Sequence, residues 1–150
     1  LSANTTASDN TAVGYQSLLA NTTGANNVAI GKTSLLANTT ASDNVAVGEQ
    51  SMKANTTGAQ NTAVGQNALQ ANTTANYNTA VGRSSLYYNT IGAQNVAIGT
   101  YALENNTTAS NNTAVGYQSL YANTTGVGNV AVGKYCSRFR CSRNKYYRNK

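Results

Sequence analysis

Asn44-Val45-Ala46-Val47-Gly48-Glu49-Gln50-Ser51-Met52-Lys53-Ala54-Asn55-Thr56-Thr57-Gly58-Ala59-Gln60 is followed without a break by Asn61-Thr62-Ala63-Val64-Gly65. The triplet Ala-(Val/Ile)-Gly closes at Gly14, Gly31, Gly48, Gly65, Gly82, Gly99, Gly116 and Gly133, always 17 residues apart. The full unit reads Asn-(Thr/Val)-Ala-(Val/Ile)-Gly-x-x-(Ser/Ala)-(Leu/Met)-x-x-Asn-Thr-(Thr/Ile)-(Gly/Ala)-x-x. Helical repeats start at about 33 residues, so this unit is too short for a helical hairpin. β-branched residues two apart, then an Asn-Thr-Thr-Gly cluster, spell strand followed by turn. Two short strands and two turns fit the unit. The invariant period therefore predicts an all-β fold, a parallel β-solenoid of about eight coils with one repeat per coil, stacked about 4.8 Å apart.

Alternation along the strand sorts the residues into columns. Val13, Ile30, Val47, Val64, Val81, Ile98, Val115 and Val132 form one column, expected to face inward. Thr11, Val28, Val45, Thr62, Thr79, Val96, Thr113 and Val130 share that face. Ala12 and its equivalents are expected on the opposite side, against a crowded neighbour. Leu18, Leu35, Met52, Leu69, Leu86, Leu103 and Leu120 form a second core column. Asn10, Asn27, Asn44, Asn61, Asn78, Asn95, Asn112 and Asn129 recur at the strand entry, and Asn4, Asn21, Asn38, Asn55, Asn72, Asn89, Asn106 and Asn123 at the turn. Stacked identical Asn side chains bond their counterparts in adjacent coils and close Asx-turns, so both columns read as ladders. Each coil carries few large aliphatic groups for 17 ordered residues, a thin core that leads us to expect an oligomer.

Composition points away from catalysis. The 150 residues include no His, Trp or Pro, one Phe and only 9% charged residues, with a mean hydropathy of -0.39. Without His there is no His-based triad, His metal site or His proton relay. Asp9, Asp43, Glu49 and Glu104 are the only acids, too few for paired-carboxylate chemistry or for a calcium-binding roll with an Asp in every unit. No enzyme activity, cofactor or metal is expected. No apolar run approaches the roughly 20 residues of a spanning helix, so membrane insertion is not expected either, and Leu1 opens no signal-peptide pattern. The chain opens in mid-unit, at the Leu/Met position, as a segment of a longer array or a matured product would.

The unit Asn-(Thr/Val)-Ala-(Val/Ile)-Gly followed by Ser-Leu resembles the head repeats of YadA-like trimeric autotransporter adhesins. It is similar also to the Asn-Thr-Ala-Val-Gly…Asn-Thr-Thr-Gly arrays of phage and viral tail fibres and bacterial surface proteins. The resemblance covers residues 1–133. It implies a left-handed parallel β-roll, usually a homotrimer, placed outside the cell on a cell or virion surface, where it serves as a structural fibre or adhesin segment. Partners would be copies of the chain itself and a host-surface glycan or protein. The adhesin head unit is typically shorter, and the extra residues here fall in the Asn-Thr-Thr-Gly turn.

Other patterns invite other functions. Asn-Thr-Thr is a glycosylation acceptor pattern that recurs simply because the repeat does. Regular Thr rows suggest the main alternative, a soluble ice- or glycan-binding solenoid. Yet Thr5/Thr6, Thr22/Thr23 and their successors are adjacent, so on a strand they would face opposite sides, and Val28, Val45, Val96 and Val130 interrupt the strand Thr column. Tyr15, Tyr87, Tyr101, Tyr117 and Tyr121 occupy variable positions suited to weak multivalent surface contacts.

Charge divides the chain near Gly133. Lys32, Lys53 and Arg83 against the four acids give residues 1–133 a net charge of −1, whereas Lys134, Arg138, Arg140, Arg143, Lys145, Arg148 and Lys150 give residues 134–150 a charge of +7. The solenoid is therefore expected over 1–133, with a basic, non-repeat tail over 134–150. The tail contains Cys136, Phe139 and Cys141 and on its face suits nucleic acid. Back-translated and read from the second nucleotide, however, it permits Asn-Thr-Ala-Val-Gly, six residues, then Asn-Thr-Thr-Gly. An out-of-frame repeat explains that register, which makes nucleic-acid binding an unfavoured reading.

Overall fold

A computed structural model describes residues 3–137. Eight three-residue strands recur once per coil: β1 (Thr11–Val13), β2 (Val28–Ile30), β3 (Val45–Val47), β4 (Thr62–Val64), β5 (Thr79–Val81), β6 (Val96–Ile98), β7 (Thr113–Val115) and β8 (Val130–Val132). They form a single parallel sheet in chain order. Each residue pairs with the one 17 positions on, as in Val47↔Val64 and Val64↔Val81. The fold is a β-solenoid with one repeat per coil.

The inside and outside of the strand are the reverse of the sequence expectation. Ala29, Ala46, Ala63, Ala80, Ala97 and Ala114 are fully buried. Val13, Ile30, Val64, Ile98 and Val132 lie exposed on the outer face, with Val47, Val81 and Val115 half-buried beside them. The reason is the bore of the coil. A 17-residue turn with three-residue strands encloses a narrow channel, which Leu18, Leu35, Met52, Leu69, Leu86, Leu103 and Leu120, each 0–2% exposed, fill from the opposite wall. Across from them a methyl group fits, and a second β-branched row would overpack the channel.

That opposite wall is a run of turns rather than the second strand expected. In each of the first seven coils the backbone takes positive φ three times in five residues, as at Gly14 (128°), Gln16 (54°) and Leu18 (50°). A Cβ on Gly65 would press to 2.6 Å from the Gly82 carbonyl, so this column accepts only Gly. Leu at positive φ costs about 1–2 kcal/mol, offset by a side chain buried whole in the channel. Thr33 has no such compensation. It is β-branched at φ 54° and its hydroxyl is buried without a partner. Asn67 holds the equivalent position four-square with the left-handed backbone, at φ 59°. Thr33→Asn is expected to stabilise the fold by about 1 kcal/mol, read as a rise of a few degrees in thermal melting followed by circular dichroism.

The turn carries a second, longer period. The residue after Asn-Thr-Thr (or Asn-Thr-Ile) alternates strictly: Ala7, Gly24, Ala41, Gly58, Ala75, Gly92, Ala109, Gly126. A Cβ on Gly24, Gly58 or Gly92 would collide with the carbonyl oxygen of Ala41, Ala75 or Ala109 in the next coil. The same pairs of coils share a side-chain bond: Ala25 N–H donates to Ser42 Oγ (3.0 Å), Ala59 N–H to Asn76 Oδ1 (2.7 Å) and Ala93 N–H to Ser110 Oγ (3.0 Å). The structural unit is thus a pair of coils. Deleting residues 44–60 would stack Ala41 on Ala75, whereas deleting 44–77 keeps Ala beside Gly. The shorter deletion is expected to lower the melting temperature more than the longer one, against the ordinary dependence on length.

The bonding pattern of the coils runs just past Gly133, as far as Cys136. Tyr135 N–H donates to the Tyr117 carbonyl (2.9 Å), Leu120 N–H to the Cys136 carbonyl (2.6 Å), and Tyr135 takes φ 57°. These repeat the bonds of the preceding coils, with buried Cys136 in the place of Ser119. The remainder of the basic tail, Arg138 to Lys150 with Phe139 and Cys141, lies outside the described residues.

Candidate functional site

The polar columns are committed to holding coils together. In the strand-entry column the Asn61 N–H donates to Asn44 Oδ1 (3.0 Å), while Asn61 Nδ2 donates across the turn to the Ala75 carbonyl (2.8 Å). In the turn column Asn55 Nδ2 donates both to Asn38 Oδ1 (3.0 Å) and to the Gly58 carbonyl (2.8 Å), closing its own turn while tying it to the coil before. Asn21, Asn38, Asn55, Asn72 and Asn106 are fully buried in this arrangement. Both amide hydrogens of such an Asn are used, so the glycosylation pattern marks a ladder that a sugar would break. Asn112 Nδ2 is the exception, buried without a partner beside the divergent Gly126-Val127-Gly128 turn. Asn55→Asp replaces the two donors by a carboxylate facing two oxygens. Each orphaned group costs about 1–3 kcal/mol, so this near-isosteric change is expected to lower the melting temperature sharply at pH 7, checked by thermal denaturation.

The Thr pairs split between two roles. Thr22, Thr39, Thr56, Thr73 and Thr90 donate their hydroxyls to the carbonyl of the corresponding Thr in the next coil, for example Thr56 Oγ1 to Thr73 (3.0 Å). The second Thr of each pair is exposed, with Ile91 interrupting the row.

What remains accessible is the outer face of the sheet and the variable residues around it. The outer face carries only Thr, Val and Ile along all eight strands. Beside it, Lys32 and Glu49 approach to 3.9 Å, and Gln66 Nε2 donates to Glu49 Oε2 (3.3 Å). Farther along, Arg83 sits over the Tyr101 ring at 5.7 Å, and Tyr101, Tyr117 and Tyr135 meet edge to face at 6.1 and 5.5 Å. Lys134 lies 4.9 Å from the Tyr135 ring centre. The structure thus joins Tyr101 with Tyr117, Tyr121 with Glu104 and Tyr87 with Tyr88, while Tyr15 lies exposed in the first coil. Burial raises the Glu104 pKa, and a hydrogen bond from Tyr121 and the charge of Arg83 oppose that rise. Among the described residues no group of three or more His, Cys, Asp or Glu is placed to hold a metal ion, and no helix is long and apolar enough to cross a membrane.

Sequence reasoning passed over Tyr88. Its ring meets Tyr87 edge to face at 4.5 Å and stands half exposed. The signal was present: Ala20, Ala37, Ala54, Ala71 and Ala122 hold that column, and only Tyr88 and Asn105 break it. No protein family, curated protein or solved structure matches the chain.

Proposed function

We propose that this chain is a non-enzymatic structural segment of an extracellular fibre or adhesin, on a cell or virion surface, that associates with copies of itself. The observation that carries the reading is the uncovered, uncharged face of Val, Ile and Thr. A single chain already closes its own Leu-Ala channel, so nothing inside it calls for a partner. Outside, two β-branched columns without one ionisable residue run over eight strands, a stripe on the order of 40 Å long at about 4.8 Å per coil. Contiguous apolar surface of this kind marks an interaction site. A second copy has the same rise, so its side-chain rows interleave along the full stripe as the facing sheets of a steric zipper do. Three copies packing these faces about a shared axis give the arrangement implied by the resemblance to YadA-like heads. The ice-binding alternative is weaker, because the strand Thr column is broken by Val and the first Thr hydroxyl of each pair is turned to a carbonyl.

Mass in solution tests this. The 15.6 kDa chain is expected to sediment as a trimer, and Val64→Asp with Val81→Asp is expected to give a folded monomer with the same β spectrum. Leu69→Asp, by contrast, buries an unpaired charge at a cost of several kcal/mol and is expected to lose the fold. A wild-type chain that stays monomeric at high concentration rejects the self-association.

A further inference from the structure

Coils five to seven carry a site that the repeat does not explain. Over coils two to four a shallow trough runs along the small column Ala37, Ala54 and Ala71, beside Leu36, Lys53 and Gln70. At Tyr88 the trough acquires a wall. Around Tyr88 lies an open cleft of about 750 Å³, with Ala71 on one side of the ring, Asn105 and then Ala122 on the other, and Thr90, Thr107 and Thr124 along its edge. The Tyr87 ring, edge-on at 4.5 Å, fixes the tilt of Tyr88.

We propose that this cleft binds a pyranose ring of a surface glycan, an inference that rests on the adhesin reading and names its partner. The lining residues are all uncharged, which disfavours a phosphate, sulfate or ionic peptide side chain. The backbone is closed to an added strand, because Tyr88, Thr90 and Asn105 N–H groups already donate to Glu104, Thr107 and Tyr121 carbonyls at 3.0, 2.8 and 3.3 Å. What the cleft offers instead is a half-exposed aromatic ring, a small Ala side chain on either flank and a polar rim. Asn105 Nδ2 donates to the Tyr121 carbonyl (3.0 Å), which holds the amide in place and leaves its Oδ1 to accept. Thr90 and Thr107 donate their hydroxyl hydrogens to Thr107 and Thr124 carbonyls (3.0 and 3.3 Å), so each oxygen still accepts. A pyranose presents the matching pattern, a face of C–H groups for the ring and its flanks and an edge of O–H donors for the rim. An apolar pocket with a few oriented polar groups is the usual form of a small-ligand site. Its openness suits weak binding strengthened by several copies in one fibre.

Saturation-transfer NMR with a panel of methyl pyranosides (gluco, galacto, manno and N-acetylglucosamine) tests the assignment on the intact chain. Saturation is expected to reach the ring C–H protons of at least one sugar. Tyr88→Ala, which restores the residue of the column and so keeps the coil, is expected to abolish the signal, and Tyr15→Ala in the first coil to leave it unchanged. Transfer to no sugar in the panel, or transfer that survives Tyr88→Ala, overturns the site. Sedimentation of the same samples separates the two readings: a silent panel on an intact oligomer overturns the sugar site alone, whereas a monomer overturns the self-association.

Discussion

Closure of a very short coil is the constraint on which everything else rests. Seventeen residues must return the chain to its starting point displaced by one hydrogen-bond spacing. There is no room for a second strand, so the far wall turns by repeated positive φ at Gly, a polar residue and Leu. These turns strand carbonyl groups in a nearly anhydrous interior, where an unpaired polar group is expensive. The two Asn columns answer that need. Apart from Asn112 and Asn129 near the last turn, each amide bonds a turn carbonyl with its hydrogens, and the oxygen serves the next coil, as at Asn38 and Asn44. The coil closes and stacks through the same side chains, which is why the period tolerates no insertion.

The parts of the fold fixed by period were legible in the sequence. Strand positions, parallel register, the Leu column and the stacking of Asn followed from a constant spacing and from residue chemistry. The orientation of the strand was not legible. Alternation says that Val64 and Ala63 face opposite ways, and only the bore of the coil says which way is in. Reasoning from size, large inside and small outside, fails when the interior is one Leu wide. The positive φ at Leu69 was hidden for a related reason, since Leu gives no local signal for it and the burial that stabilises it is a tertiary effect. The Ala/Gly alternation at the turn was in plain view, but a unit written as Gly/Ala concealed the order. Tyr88 was overlooked because its chemistry resides in what it replaces, which shows only when the column is read vertically.

The same narrowness divides the labour between inside and outside. Because Ala, Leu, Ser and Asn suffice to build the rod, the outer β-branched columns are released from core duty and remain as surface. The variable positions are released as well. Lys32 with Glu49, Arg83 with Tyr101, and Tyr87 with Tyr88 differ from coil to coil without touching the ladder. A rod of this design changes its surface chemistry one coil at a time while its scaffold stays fixed, which suits a molecule that meets partners through display rather than through a catalytic pocket.

Alternating turns also bear on how such a rod comes apart. Where each element touches only its neighbours, stability is a sum of unit and interface contributions along one dimension. Here the interfaces are unequal. Alternate ones are bridged by Ser42, Asn76 and Ser110, and the intervening ones by an amide-to-amide bond from Asn61 to Asn44, Asn95 to Asn78 and Asn129 to Asn112. Fraying from an end therefore meets two kinds of interface in turn, and the repeating unit of the stack is two coils rather than one.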